Sequence, residues 1–141
     1  MKQQRLDPVV MVDDDEDDLY IAKQCYEMAG LDNPLLTFNN GEAFLAYLDK
    51  VELNEASLPV YALIDINMPR MNGFAVVRKI REREQFHKIP LILMFSNSSD
   101  EGDKKKAKEL GADEYLVKPH TVNGYLDMFR NLSEHSRVRV S

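Results

Sequence analysis

Val60-Tyr61-Ala62-Leu63-Ile64 is an unbroken apolar run that ends on a carboxylate, Asp65, and passes into Ile66-Asn67-Met68-Pro69-Arg70-Met71-Asn72-Gly73. A short, continuous run rich in β-branched and aromatic residues is how a strand buried on both faces of a parallel sheet reads. Two further runs end on charge in the same way. Val9-Val10-Met11-Val12 leads into Asp13-Asp14, and Tyr115-Leu116-Val117 leads into Lys118-Pro119. In an open parallel sheet the carboxyl ends of the strands line one crevice, and ligands bind there. Three carboxylates and an ammonium are therefore expected at one sheet edge.

Between these runs the apolar spacing alternates between strand and helix. It predicts a helix over residues 17–29, with Leu19, Ile21, Ala22, Cys25, Tyr26, Met28 and Ala29 on its apolar side and Gly30 as its stop. A weaker strand follows at residues 35–38, then a helix over 41–51 with Ala43, Phe44, Tyr47, Leu48 and Val51 on one face. After the strand at 60–66, a helix over 72–83 turns Phe74, Val77 and Ile80 inward and carries a basic outer face. Pro90 opens a strand at 91–95. A polar, weakly amphipathic helix at 100–110 is closed by Gly111, and a strand at 114–117 and a helix at 122–132 complete the pattern. Five strand–helix repeats with short connections imply an α/β, doubly wound parallel sheet with helices on both faces.

The chain has 141 residues, enough for one domain with a two-sided core. Its 44% apolar and 30% charged residues are ordinary for a globular protein. A net charge of −6 leaves no basic footprint and argues against direct nucleic-acid binding. Cys25 is the sole cysteine and reads as a buried thiol. No run approaches the length of a membrane span and no signal-peptide core is present, so a cytoplasmic protein is expected. Residues 1–133 read as the folded domain. The polar stretch 134–141 reads as a tail too short to be an effector domain.

Two carboxylates about 4.5 Å apart repel by roughly 3–4 kcal/mol at an effective dielectric near 20. Asp13, Asp14 and Asp65 together thus call for a compensating cation or raised pKa values. Hard oxygen ligands suit Mg²⁺, with Mn²⁺ as an alternative, and the absence of His or Cys from these motifs speaks against zinc. The remaining acids Asp15, Glu16, Asp17 and Asp18 read as a solvated turn, with Asp17 or Asp18 as helix N-cap. Lys118 lies before a proline, which permits a cis peptide that would fix its direction. Ser96 offers a hydroxyl at the end of the 91–95 strand, with Ser98 and Ser99 behind it. These parts suit phosphoryl transfer, a reaction that needs positioning and charge neutralisation more than covalent chemistry. Asp65 is the candidate carboxylate nucleophile.

From Pro8 to Leu132 the chain resembles the receiver domain of bacterial two-component response regulators, specifically the stand-alone, CheY-like kind. The resemblance is carried by Val12-Asp13-Asp14, by Asp65-Ile66-Asn67-Met68-Pro69-Arg70-Met71-Asn72-Gly73, by Phe95-Ser96-Asn97-Ser98, by Gly111-Ala112-Asp113 and by Tyr115-Leu116-Val117-Lys118-Pro119. It implies a flavodoxin-like (βα)5 fold with strand order 2-1-3-4-5. It also implies a function in phosphorelay signal transduction: Asp65 accepts phosphate from a sensor histidine kinase or a histidine phosphotransfer protein. Asp14 and Asp65 would hold Mg²⁺ directly and Asp13 through water, with the backbone carbonyl of Asn67 completing the site. Lys118 would clamp the phosphoryl group, while Ser96 and Tyr115 would form the switch. The face built from residues 100–132 would then dock a downstream target protein, and Lys104, Lys105, Lys106 and Lys108 make part of it basic. One departure concerns the hydroxyl position. Counting from Pro90 places Phe95 there, whereas counting back from Lys118 places Ser96. Ser96 is the better reading because a phenyl ring cannot hydrogen-bond phosphate.

Two other functions fit parts of the pattern. A constitutive interaction domain with a vestigial site would not need the full acid set or Lys118. A Mg²⁺-dependent phosphatase with an aspartyl intermediate would need a second acid two residues after the nucleophile, where this chain has Asn67.

Overall fold

The computed structural model describes residues 6–95 and 101–134. Strands β1 (Val9–Val12), β2 (Leu35–Phe38), β3 (Tyr61–Asp65), β4 (Leu91–Phe95) and β5 (Glu114–Val117) alternate with helices α1 (Glu16–Met28), α2 (Gly41–Glu52), α3 (Gly73–Arg81), α4 (Glu101–Leu110) and α5 (Val122–Glu134). The strands form one parallel sheet in the order β2-β1-β3-β4-β5. The doubly wound arrangement expected from the repeats is what is observed.

Side chains alternate across a strand, and here the alternation sorts the core into two halves. Val10, Val12, Ala62, Ile64, Leu91 and Leu93 pack with Phe44 and Leu48 of α2, Val76, Val77 and Ile80 of α3, and Ala107 of α4. Val9, Met11, Tyr61, Leu63, Ile92 and Met94 pack with Leu19, Ala22, Cys25 and Tyr26 of α1 and with Tyr125, Met128 and Phe129 of α5. Asp13 and Asp65 continue the second set of rows, so both acids emerge on the side covered by α1 and α5.

Several boundaries and exposures differ from the sequence reading. Asp15, not Asp17 or Asp18, caps α1: its Oδ1 accepts from the backbone N–H groups of Asp17 and Asp18 at 2.9 and 3.2 Å. Ile21 and Met28 are exposed, because the buried stripe of α1 runs through Leu19, Ala22, Cys25 and Tyr26 and leaves them to its side. Asn72 caps α3 instead of opening it, accepting from Ala75 N–H at 2.9 Å. A short 3₁₀ turn at Glu84–Phe86, which the spacing does not reveal, buries Phe86. Strand β5 lies at the sheet edge and is not buried on both faces: Tyr115 is 40% and Val117 48% exposed. Its α4-side face stays open because polar α4 buries only Ala107 among its described side chains. Helix α5 continues to Glu134, two residues past the apolar pattern. Cys25 is buried, as expected.

Arg81 is the largest departure. It belongs to the stretch read as a basic outer face, yet its side chain is only 15% exposed. Its Nε donates to the Gly111 carbonyl at 2.9 Å, Nη1 to Phe86 at 2.8 Å, and Nη2 to Ile89 and Asp113 Oδ2 at 2.8 Å each. Asp113 Oδ2 also accepts from Leu91 N–H at 2.8 Å, fixing the entry to β5 against the start of β4. Gly111 makes this possible. Its φ of +103° is one that side chains avoid, and an added Cβ would lie 2.8 Å from Arg81 Cγ.

Candidate functional site

The register levels the acids. Val12 pairs with Ile64, so the residues that follow, Asp13 and Asp65, leave β1 and β3 side by side. Both are buried, at 0% and 4% exposure, while Asp14 on the next turn is exposed. One carboxylate oxygen from each of Asp13, Asp14 and Asp65 lies within 4.8 Å of the others. Lys118, which leaves β5 on the same side of the sheet as Leu116, reaches the cluster from the other edge. Its Nζ lies 2.6 Å from Asp13 Oδ2 and 3.6 Å from Asp65 Oδ2.

The Lys118–Pro119 peptide is trans, since no described peptide is cis. The direction of Lys118 is instead set by its ion pairs. A second difference concerns Asp18, which reads in sequence as part of a solvated turn. Its Oδ2 lies 2.7 Å from Lys118 Nζ, so it belongs to the site. The signal that reveals it is helical phase: Asp18 precedes Ala22 by four and Cys25 by seven, extending the buried stripe of α1 toward the strand ends.

The electrostatics follow from crowding and burial. Burial, and then the neighbouring Asp13 charge, push the Asp65 carboxyl up to about 6, against the opposing pull of Lys118 and of the Asn67 N–H. Asp13 is likewise raised by burial, which the hydrogen bond from Lys118 offsets in part. Burial pulls Lys118 down, but hydrogen bonds to Asp13 and Asp18 outweigh it and hold the ammonium charged above the usual lysine range. Among the described residues Lys118 thus pairs with Asp13, Asp18 and Asp65, and Asp14 stands beside two of them. The donor set is all oxygen, without His or Cys, and fits a small hard divalent cation such as Mg²⁺ or Mn²⁺. Asp13, Asp14 and Asp65 are the residues that would hold it.

The loop after Asp65 is shaped around its carboxylate. Asn67 N–H lies 3.3 Å from Asp65 Oδ1, and Gly73 N–H donates to the Ile66 carbonyl at 3.0 Å. A Cβ on Gly73 would stand 2.6 Å from the Asp65 carbonyl oxygen and 2.9 Å from Ile66 Cα, both backbone atoms that cannot swing aside. Gly73→Ala is therefore expected to push the first turn of α3 off the β3 end. The expected cost is about 1–3 kcal/mol of stability, as for other overpacked sites, read from a urea unfolding midpoint with unchanged slope.

Of the proposed switch pair, Tyr115 is described and Ser96 lies outside the described residues. Tyr115 is held outward beneath Lys104, whose Nζ is 4.9 Å from the ring centroid. Lys106 lies 4.5 Å over Phe74, so two of the four lysines of α4 fold onto aromatic rings. Phe95 ends β4 and pairs with Val117, one residue short of Lys118.

A five-stranded sheet in the order 2-1-3-4-5 is the flavodoxin-like arrangement, here with an acid cluster at its carboxyl edge. The chain belongs to the response regulator receiver domain family, whose model matches residues 9–130. It is similar to the transcriptional regulatory protein CpxR of Klebsiella pneumoniae, with 34% identity over 81% of this chain, and spans 44% of that relative's length. Among solved structures it is similar to the response regulator RPA3017 in red light signaling of R. palustris, at TM-score 0.79 and 28% identity, covering 90% of this chain and 91% of that one. In fold it matches the Mn²⁺-bound form of response regulator Rcp1, with TM-score 0.76, 22% identity and coverage of 91% and 92%. The chain is thus a receiver domain of the two-component type, a signalling module of a family that works with histidine kinases and downstream effectors. No described helix is long and apolar enough to cross a membrane.

Proposed function

We propose that this chain acts as a response regulator receiver domain, spanning residues 1–133, that accepts a phosphoryl group on Asp65. The donor is a phosphohistidine of a sensor kinase or phosphotransfer protein. The observation that carries this reading is the buried Asp65 carboxylate, within 4.8 Å of Asp13 and Asp14 oxygens and 3.6 Å from Lys118 Nζ. Asp65 attacks phosphorus in line, the P–N bond breaks, and the electron pair leaves with the imidazole nitrogen, which takes up a proton. When bound, Mg²⁺ supplies positive charge that neutralises the transferring oxygens. Asp14 and Asp65 would hold it directly, Asp13 would support it through water, and the Asn67 carbonyl would complete the set. The Mn²⁺ bound in Rcp1 lends support to a divalent site here.

Lys118 contributes the remaining charge on the phosphoryl group, and the Ser96 hydroxyl takes another of its oxygens. The register of Phe95 against Val117 supports Ser96 over Phe95 for that role. Tyr115 then moves inward from its outward position, and the face formed by residues 100–132 changes its affinity for a target protein. A cytoplasmic location and no direct contact with nucleic acid or membrane belong to the same reading.

The test is incubation with Mg²⁺ and a small phosphodonor, followed by mass measurement. Wild type is expected to gain one phosphoryl group, as an acid-stable and base-labile adduct, and Asp65→Asn none. An adduct that survives in Asp65→Asn places the acceptor elsewhere. Asp65→Asn also has a predicted stability signature without metal. Because the folded-state pKa of Asp65 lies above its ordinary value, its contribution is intact below pH 3.8 and lost as pH rises through about 6. The variant should match wild type at pH 3.5 and exceed it above pH 7 by on the order of 2 kcal/mol. Added Mg²⁺ should narrow that gap by stabilising only the wild type.

A further inference from the structure

Six consecutive acids run from Asp13 to Asp18, and the phosphoacceptor reading uses the first two. Asp15 is spent on capping α1. Asp18 is different. Its side chain is 31% exposed and lies 2.7 Å from an ammonium that is only 11% exposed. Nearby, Tyr125 of α5 is 2% exposed, and burial first, then the Asp18 charge, raises its hydroxyl above the usual tyrosine range. An ion pair in that setting is screened less than one on the open surface.

The geometry at Nζ is informative. A lysine ammonium carries three protons. Asp13 Oδ2 at 2.6 Å and Asp18 Oδ2 at 2.7 Å are its two close ion-pair partners. Asp65 Oδ2, at 3.6 Å, is beyond hydrogen-bond reach. The two short contacts draw the ammonium toward Asp13 and Asp18. Lys118 is thereby kept off the Asp65 carboxylate, whose lone pairs stay available for attack. Without Asp18 the ammonium loses one of its two close partners and can close the remaining gap to Asp65.

Resting on the reading of Asp65 as phosphoacceptor, we propose that Asp18 is a positioning residue for Lys118. It pairs with the ammonium, so that Lys118 is held beside Asp13 and can turn toward an oxygen of the phosphoryl group on Asp65. Asp18 touches neither the nucleophile nor the transferring group and acts wholly through Lys118.

The test is a double-mutant cycle on the rate of Asp65 phosphorylation at saturating Mg²⁺, with each variant shown to be folded at the assay temperature. Asp18→Ala is expected to slow adduct formation roughly tenfold to a hundredfold, the loss that follows when a reacting group is misplaced by about an ångström. Asp18→Asn keeps an oxygen acceptor at the same reach and should recover most of the rate. In a Lys118→Met background, Asp18→Ala should have no further effect. A wild-type rate in Asp18→Ala overturns the proposal, and so does an undiminished Asp18→Ala effect in the Lys118→Met background. A second measurement needs no phosphorylation: the ¹⁵Nζ–¹Hζ spectrum of the unmodified protein. The protected Lys118 ammonium, identified by its loss in Lys118→Met, should persist in Asp18→Asn and exchange away in Asp18→Ala. Persistence in Asp18→Ala overturns the role of Asp18. Absence of any adduct in wild type instead sinks the phosphoacceptor reading, and the ammonium spectrum still judges Asp18.

Discussion

Lys118→Met is expected to lower stability by about 3–5 kcal/mol at pH 7.5 in metal-free buffer, the usual penalty for removing one partner from a buried ion cluster. The ammonium is 11% exposed and lies between Asp13, which is fully buried, and Asp18. Methionine fills similar volume, so little of the loss comes from a cavity. What remains is a set of carboxylates with no opposing charge, already strained by burial: Asp13 is raised, and Asp65 is raised to about 6. Without Lys118 both rise further. Carboxylates with raised folded-state pKa values lose their stabilising contribution as pH rises and regain it as they protonate. The deficit should therefore begin to shrink above pH 6 as the pH falls, because the variant's carboxylates protonate ahead of the wild type's. In the wild type, the Lys118 pairing is present below the ordinary lysine range and is lost only in strong alkali, because its folded-state pKa is raised. Millimolar Mg²⁺ should restore part of the deficit at pH 7.5 by supplying the missing charge. Thermal unfolding across pH, with and without Mg²⁺, reads all three effects. A pH-independent deficit would mean that lost packing, and not unpaired charge, causes it.

Arg81→Ala is expected to cost about 2–4 kcal/mol with the phosphoryl chemistry left intact, since each buried acceptor left without a donor costs about 1–3 kcal/mol and water reaches some of them. One guanidinium holds the Phe86, Ile89 and Gly111 carbonyls and the Asp113 carboxylate. Those groups belong to the α3–β4 connection and to the turn between α4 and β5. The fork has donors enough to serve them all, whereas an ammonium would have to choose, so Arg81→Lys should recover only a minor part. Chemical unfolding measures the cost, and adduct formation on Asp65 should proceed near the wild-type rate. Because the released turn carries α4 into β5, the placement of the 100–132 face should loosen, seen as faster amide exchange at Asp113 and Glu114.

The strands were legible because a buried parallel strand has a simple signature. Val9–Val12 and Tyr61–Asp65 read as continuous apolar runs and are fully buried. The site acids followed from the rule that ligands bind at strand carboxyl ends, which picks out Asp13, Asp65 and Lys118 with no knowledge of their distances. Asp18 was not legible in a run of acids, because its partner is a hundred residues away and only helical phase separates it from Asp17. Arg81 was missed for a related reason. A basic residue near a helix end is usually solvated, and nothing local announces that three carbonyls and a carboxylate converge on it. Strand β5 was read as buried from its apolar letters, but burial depends on its neighbours, and α4 offers it little to pack against.

The ion pairs of Lys118 carry a kinetic consequence. They join the end of β5 to β1, to the first turn of α1 and to β3, contacts that span most of the chain. Contacts so distant along the sequence close large loops and are entropically late. The acid cluster is thus expected to assemble after the sheet has formed, on the native side of the folding barrier. Changes at Lys118, Asp13 or Asp18 should then register chiefly as faster unfolding, with refolding rates little altered. The charges that make the site reactive would also act as the fold's final latch.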